Sequence, residues 1–259
     1  MDTLKNKLFE TNSCEFLPKL YGVWKSVDEI DFDSLPNAFV LKTNHDCGGV
    51  VIVPDKKTLL NDTQAYQKAM QKLKEHLQTN YYELYREWHY KDIEARVFAE
   101  ELLGADLNSQ DTKQKQEQNS NQNSSIENDD FQGKIATESY KVPDDYKINQ
   151  CHSHTLFVEV DSNRFSSHTR AMFDEHFVKL PFQFSAENLP ITKSIEKPQG
   201  FDKLIIVAKI LGSDLNYVRV DLYNVCSKIY VGELTFTPAG GTSKFYPNEW
   251  DKRFGEMWG

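Results

Sequence analysis

The sequence predicts an α+β fold, with antiparallel sheets and helices packed against them. Three observations carry this. Strand-like segments come in pairs joined by turn residues, at 38–53 and again at 217–236. The helical patterns are few. They do not alternate regularly with the strands, as a doubly wound parallel sheet would require.

The elements follow in chain order. Residues 1–36 read as a short helix, then Leu17 to Trp24, then an acidic stretch from Asp28 to Asp33. Ala38-Phe-Val-Leu-Lys42 is a compact apolar strand, and Val50-Val-Ile-Val53 is a second, β-branched one stopped by Pro54. The loop between them, Thr43 to Gly49, makes a hairpin. From Asp62 to Thr79, Tyr66, Ala69, Met70, Leu73 and Leu77 recur at helical spacing on one face. Residues 95–103 contain another apolar-rich strand. Gly104 to Gly133 is dominated by Gln, Asn, Ser, Asp and Lys. It has too little apolar surface to offset the entropy of ordering, so it reads as a disordered insertion. Thr155 to Val160 is a strand and Phe201 to Leu211 a helix with Leu204, Ile205, Ala208 and Leu211 inward. Tyr217 to Tyr223 and Ile229 to Phe236 alternate polar with apolar residues, so one face meets a core and the other a site.

Composition narrows the function classes. The 259 residues carry a net charge of −9, which argues against wrapping a nucleic-acid backbone, although a polyanion such as a nucleotide needs only a few placed cations. The four cysteines, Cys14, Cys47, Cys151 and Cys226, form no Cys-x-x-Cys pair and read as thiols in a reducing cytoplasm. No apolar run approaches the ~20 residues of a membrane span, and the N-terminus lacks the apolar core of an export signal.

Two constellations carry chemistry. Arg219-Val-Asp221 lies on one strand and Glu233-Leu-Thr235 on the next. Residues two apart share a face, so Arg219 with Asp221, and Glu233 with Thr235, project together. Facing acids repel unless a cation sits between them, and magnesium prefers such hard oxygen ligands. Arg219 beside them suits phosphate oxygens. The ordinary alternative, a solvated hairpin with an ion pair, stands beside this. The second constellation is Lys42 before Gly48 and Gly49. Glycines let backbone N–H groups approach phosphate, and the lysine adds a point charge. The pattern is neither a Walker loop nor a dinucleotide fingerprint, and two adjacent glycines are also a common plain turn.

Taken together, the chain resembles the ATP-grasp superfamily. More closely it resembles its TupA-like branch, associated with teichuronopeptide and other bacterial surface polysaccharide synthesis. The residues carrying the resemblance are Leu35 to His45, Val97 to Leu102, Tyr81 to Tyr90, Pro143 to Lys147, Val218 to Tyr223, Glu233 to Gly241 and Trp250-Asp251. The resemblance implies an ATP-grasp fold that binds its nucleotide between two subdomains. These would be a short N-terminal region at 1–36, a small subdomain at 37–103, the insertion at 104–133 and a large subdomain at 134–259. The first of these looks like a truncated first domain.

It further implies ATP and Mg2+ as cofactors. Lys42, His45, Gly48 and Gly49 would hold phosphates, and Glu100, Glu101 and Leu102 would read adenine and ribose. Lys147 and Arg219 would act on the transferred phosphoryl group. Asp221, Glu233 and Thr235 would hold the metal, Thr235 standing where many ATP-grasp enzymes carry asparagine. Arg164 and Arg170 are candidates to hold the acceptor carboxylate. The expected reaction is ADP-forming ligation of a carboxylate, such as a uronic acid, to an amine, by a cytoplasmic enzyme with small-molecule or glycan substrates. The rivals are a glycosyltransferase of polysaccharide synthesis and a non-catalytic ATP-binding homologue. Elsewhere, His152 and His154 read as ordinary polar residues, with metal binding as the alternative, the aromatic stripe Tyr81, Tyr82, Tyr85, Trp88 and Tyr90 as packing at a domain edge, with stacking of a sugar or base as the alternative, and Trp250 and Trp258 as anchors of a C-terminal helix.

Overall fold

Nine strands form two separate antiparallel sheets in a computed structural model that describes residues 16–104, 140, 142–152, 154–162, 168–184 and 195–258. Residues 105–133 of the expected insertion, and Arg164, lie outside the described residues. The chain divides into two units, one of residues 19–80 and 93–142, the other of residues 1–18, 81–92 and 143–259.

The first unit holds β1 (Leu20–Trp24), β2 (Phe39–Thr43), β3 (Val50–Val53) and β4 (Val97–Glu100), in the order β1-β4-β2-β3. The expected hairpin is present, with Lys42 opposite Val50 and Phe39 opposite Val53. Helices α1 (Lys56–Asn61) and α2 (Thr63–Leu77) follow it, and each starts on a side-chain cap. Asp55 accepts from the N–H groups of Lys57 and Thr58, and Asp62 from that of Ala65, as helix starts favour. The helical spacing read from the sequence is the packing observed. Ala69, Met70 and Leu73 are buried against Phe39, Leu41, Val51, Val53, Val97 and Ala99 of the sheet, with Tyr66 and Leu77 partly buried beside them. Strand β1 was not foreseen. Its edge position leaves Leu20 and Val23 exposed, so it shows no clean alternation.

The second unit begins with α3 (Tyr81–Tyr85) and holds β5 (Asp145–Cys151), β6 (His154–Ser162), β7 (Thr169–Phe173), β8 (Tyr217–Val225) and β9 (Lys228–Thr235). The sheet order is β7-β6-β5-β8-β9. Helix α4 (Phe201–Gly212) covers one face, where Phe201, Leu204, Ala208 and Leu211 meet Tyr146, Ile148, Val158, Val160, Val218, Val220 and Leu222. Part of the opposite face is closed by α5 (Glu249–Trp258), whose Trp250 and Phe254 pack with Phe157, Met172 and Phe182. Trp250 thus anchors the C-terminal helix as expected. The rest of that face is polar, and the candidate site lies there.

Candidate functional site

Alternation puts the odd-numbered residues of β5, β6 and β8 opposite the helix-covered core. One ladder row then reads, strand by strand, Met172, Glu159, Lys147, Asp221 and Glu233. Its charges run acid, base, acid, acid. The only like-charged neighbours in the row are Asp221 and Glu233, an arrangement that costs energy unless a cation answers it.

That pairing depends on a single irregularity. The β8–β9 hairpin turns at Cys226 and Ser227, both with positive φ (50° and 66°), as a two-residue I′ turn demands. From there the register is regular, Val225 with Lys228 down to Leu222 with Val231. Continued unchanged, it would pair Asp221 with Gly232 and Glu233 with Val220, whose side chain is on the core face. Instead the register shifts after Leu222, and Asp221 pairs with Glu233. Gly232 is the extra residue of a β-bulge, a device that re-aims side chains next to sites. A Cβ on Gly232 would sit 2.7 Å from the Tyr223 ring, so glycine is required there by close approach. The sequence showed the two acids but not the bulge, because Cys-Ser is not a recognisable I′ turn and gives no exact register.

The acids are held by a dense polar network. Arg219 donates twice to Asp221, Nε to Oδ1 at 2.7 Å and Nη2 to Oδ2 at 2.8 Å, and Nη2 also reaches Thr235 Oγ1 at 3.0 Å and Glu233 Oε2 at 3.7 Å. Asp221 and the other charges around Arg219 raise its pKa, although burial works against them. Lys147 is ion-paired with Asp145, with Asp221 at 3.3 Å and with Asp161 at 3.9 Å. At the far side Arg170 grips Asp161 through two hydrogen bonds, 2.7 and 3.0 Å, and approaches Glu159 at 2.9 Å. His168 Nε2 lies 2.9 Å from Asp161 Oδ1. Burial lifts Glu159 to about 7, against the pull of Arg170 and Lys147. Asp161 lies below its usual range, because the hydrogen bonds and charge of Arg170 outweigh the effect of burial.

Five carboxyl groups on this face, Asp145, Glu159, Asp161, Asp221 and Glu233, meet three permanent cations, Lys147, Arg170 and Arg219. Even with Glu159 protonated the acids are in excess. Among the described residues no three acid, histidine or cysteine side chains converge as a complete metal cage. Two carboxylates and a hydroxyl, Thr235, fit magnesium, which retains waters and takes substrate phosphates as its other ligands.

The remaining candidates lie in the first unit. Lys42 is ion-paired with Glu100 on the neighbouring strand. Glu101 is tied to the chain's own backbone, its carboxylate accepting from Lys19 N–H at 3.2 Å, and Leu102 is buried with Val40 and Ile52. In the hairpin loop Asp46 accepts from Thr43 and pairs with His76 of α2. Gly48 takes a φ of 99°, which favours glycine, and a Cβ on Gly49 would lie 1.8 Å from the Thr43 side-chain Oγ1, so close side-chain packing favours glycine there. His45 is buried, and neither ring nitrogen finds a hydrogen-bond partner among the described residues. His152 lies in the β5–β6 turn with a φ of 47°, and both it and His154 are exposed.

A residue group missed in the sequence lies in the second unit. The aromatic stripe Tyr81 to Tyr90 reads in the sequence as packing at a domain edge, yet Tyr90 donates its hydroxyl to Glu233 Oε1 at 2.6 Å. Glu87 and His89 stand in the same electrostatic environment. Burial, then Glu233, raises Glu87, and burial lowers His89. No signal in an aromatic stripe says which hydroxyl meets a residue 143 positions away.

One antiparallel sheet thus carries a lysine-and-glycine hairpin, and the other an Arg-x-Asp strand beside a Glu-x-Thr strand. The sequence matches the TupA-like ATPgrasp family over residues 11–114 and 105–258, and the chain belongs to that family. No curated protein matches it. Solved structures similar to it include D-alanine–D-alanine ligase from Bacillus anthracis complexed with ATP (14% identity, TM-score 0.40, covering 90% of this chain and 51% of that one). A second structure of that ligase gives 14% identity and a TM-score of 0.45, covering 99% and 62%. The Helicobacter pylori ligase gives 12% identity and a TM-score of 0.35, covering 89% and 52%. The chain spans half to three fifths of the length of these structures.

Proposed function

We propose that the chain is an ATP- and Mg2+-dependent ligase joining a carboxylate to an amine. Its carboxylate is a uronic acid or similar group of a bacterial surface polysaccharide. The observation that supports this most is the bulged pairing of Asp221 with Glu233, with Arg219 fixed between Asp221 and Thr235. Membership of the TupA-like ATPgrasp family supports the choice of nucleotide and reaction class.

On this reading Asp221, Glu233 and Thr235 would hold Mg2+, which would supply positive charge to neutralise the phosphates. Lys42, the N–H groups around Gly48 and Gly49, and the unpartnered ring of His45 hold the triphosphate. Glu100, Glu101 and Leu102 face the adenosine. The acceptor carboxylate oxygen attacks the γ-phosphorus, the bond to the β–γ bridging oxygen breaks, and ADP leaves. Lys147 and Arg219 stabilise the charge on the transferring group, which needs positioning and electrostatics more than covalent help. The amine then attacks the acylphosphate carbon, phosphate leaves with the C–O electron pair, and the amine proton passes to solvent. Arg170, held rigid by Asp161, orients the acceptor, with Arg164 as a second candidate.

Coupled ADP release with panels of uronic acids and amines tests this. Release should require both partners, and ATP–Mg2+ rather than a UDP-sugar should raise the melting temperature. Release with neither partner, or stabilisation by the UDP-sugar alone, would overturn it.

A further inference from the structure

Segment 81–92 is clasped to β9 and the loop that follows it. A Cβ on Gly240 would lie 2.4 Å from the carbonyl oxygen of Tyr85, so this loop tolerates only glycine against the segment. The His89 ring meets Phe236 edge-on at 5.7 Å, and Glu87 accepts a hydrogen bond from the backbone of Ala239. These contacts deliver Tyr90 to Glu233.

The two acids of the pair are held differently. Asp221 is buried, and both its oxygens accept from Arg219. The Glu233 side chain is 41% exposed, and Arg219 approaches it only to 3.7 Å. An exposed glutamate keeps its rotamer freedom unless something fixes it, and here a phenol donates to its Oε1 at 2.6 Å. Hydrogen bonds to an ionised acceptor are the strong ones. Losing a group that orients a metal-binding carboxylate typically costs about 10- to 100-fold in metal affinity.

We propose that Tyr90 is a positioning residue, which fixes Glu233 in the orientation that receives the divalent cation. This rests on the metal role given above to Asp221 and Glu233. It adds a residue from a segment that the sequence reading assigned to packing.

The test is Mn2+ binding followed by electron paramagnetic resonance, on the full chain with adenylyl-imidodiphosphate present. Tyr90→Phe keeps the ring and its edge contact with Tyr81, and removes only the hydroxyl. It should weaken Mn2+ binding about 10-fold and leave nucleotide binding without metal unchanged. Tyr82→Phe, in the same segment but packed on Trp88, should change neither. Glu233→Gln should weaken Mn2+ binding at least as much, and adding Tyr90→Phe to it should cause little further loss, because the hydroxyl acts through that carboxylate. If Glu233→Gln weakens binding and Tyr90→Phe does not, the positioning role is wrong and the metal site stands. If Glu233→Gln binds Mn2+ like the parent, the metal site falls, and Tyr90 with it.

Discussion

The two sheets treat charge in opposite ways. In the four-stranded sheet the cross-strand charge at the candidate site is one ion pair, Lys42 with Glu100, and the neighbouring loop is held by backbone geometry and by Asp46. In the five-stranded sheet the part of one face left open by α5 is charged, the acids there outnumber the permanent cations among the described residues, and most of these side chains grip one another. The first arrangement sets a partly exposed lysine near a glycine-bearing loop, which suits an anion. The second has more carboxylates than permanent cations among the described residues, which suits a cation.

Removing a lysine from each sheet sharpens the comparison most. Lys147→Met leaves the buried Asp145, Asp161 and Asp221 without their shared cation. It should cost about 3–5 kcal/mol, as breaking a buried ion pair does. Lys42→Met breaks a single pair whose lysine side chain is 25% exposed, and should cost no more than about 1 kcal/mol. Urea unfolding of both variants checks this. Equal losses would mean that the five-stranded network is no more than a set of surface pairs.

The bulge offers a subtler break. Gly232→Val places a branched side chain against the Tyr223 ring, where even a Cβ would be 2.7 Å away. Overpacking of this kind costs about 1–3 kcal/mol. The regular register escapes it only by turning Glu233 toward the face of Val220, so Mn2+ binding should fall further than stability does. Retained Mn2+ affinity in a destabilised variant would show that the bulge serves packing alone.

How much of this could be read in advance follows from the range of each signal. Local periodicity marked α2 and α4 to within two residues, and alternation marked the polar face of β8 and β9. Asp221 and Glu233 could be named because each sits in a short pattern with Arg219 or Thr235. The bulge was not legible, since a one-residue shift leaves no mark when the turn is Cys226-Ser227. Strand β1 lies at an edge, and β7 carries Arg170 and Thr169 where alternation would ask for a clearer pattern. The network around Lys147 was also hidden. Asp161 and Asp221 lie far from Lys147 in sequence, and only the strand order β6-β5-β8 brings them to it.

The smallest effect concerns protons on the charged face. Burial raises Glu159 from the ordinary carboxylate value of 4.5 to about 7, with Asp161 adding to the rise and Arg170, Lys147 and Arg219 opposing it. Below 4.5 both the folded and unfolded chains hold this proton. Above that the unfolded chain releases it while the folded chain keeps it, so stability falls as pH rises until about 7, at no more than roughly 1.4 kcal/mol per pH unit. Asp161, lowered to about 2, acts in a separate window, and its contribution is lost only as pH falls below 3.8. Glu87 is also raised and adds to the fall of stability with rising pH. Glu159→Gln should therefore flatten, without abolishing, the decline of unfolding free energy between pH 4.5 and 7, and leave the acid limb below pH 4 unchanged. Identical slopes in parent and variant would mean that Glu159 is already ionised among its cations. The excess of negative charge on that face would then be larger by one, and its demand for a bound cation stronger.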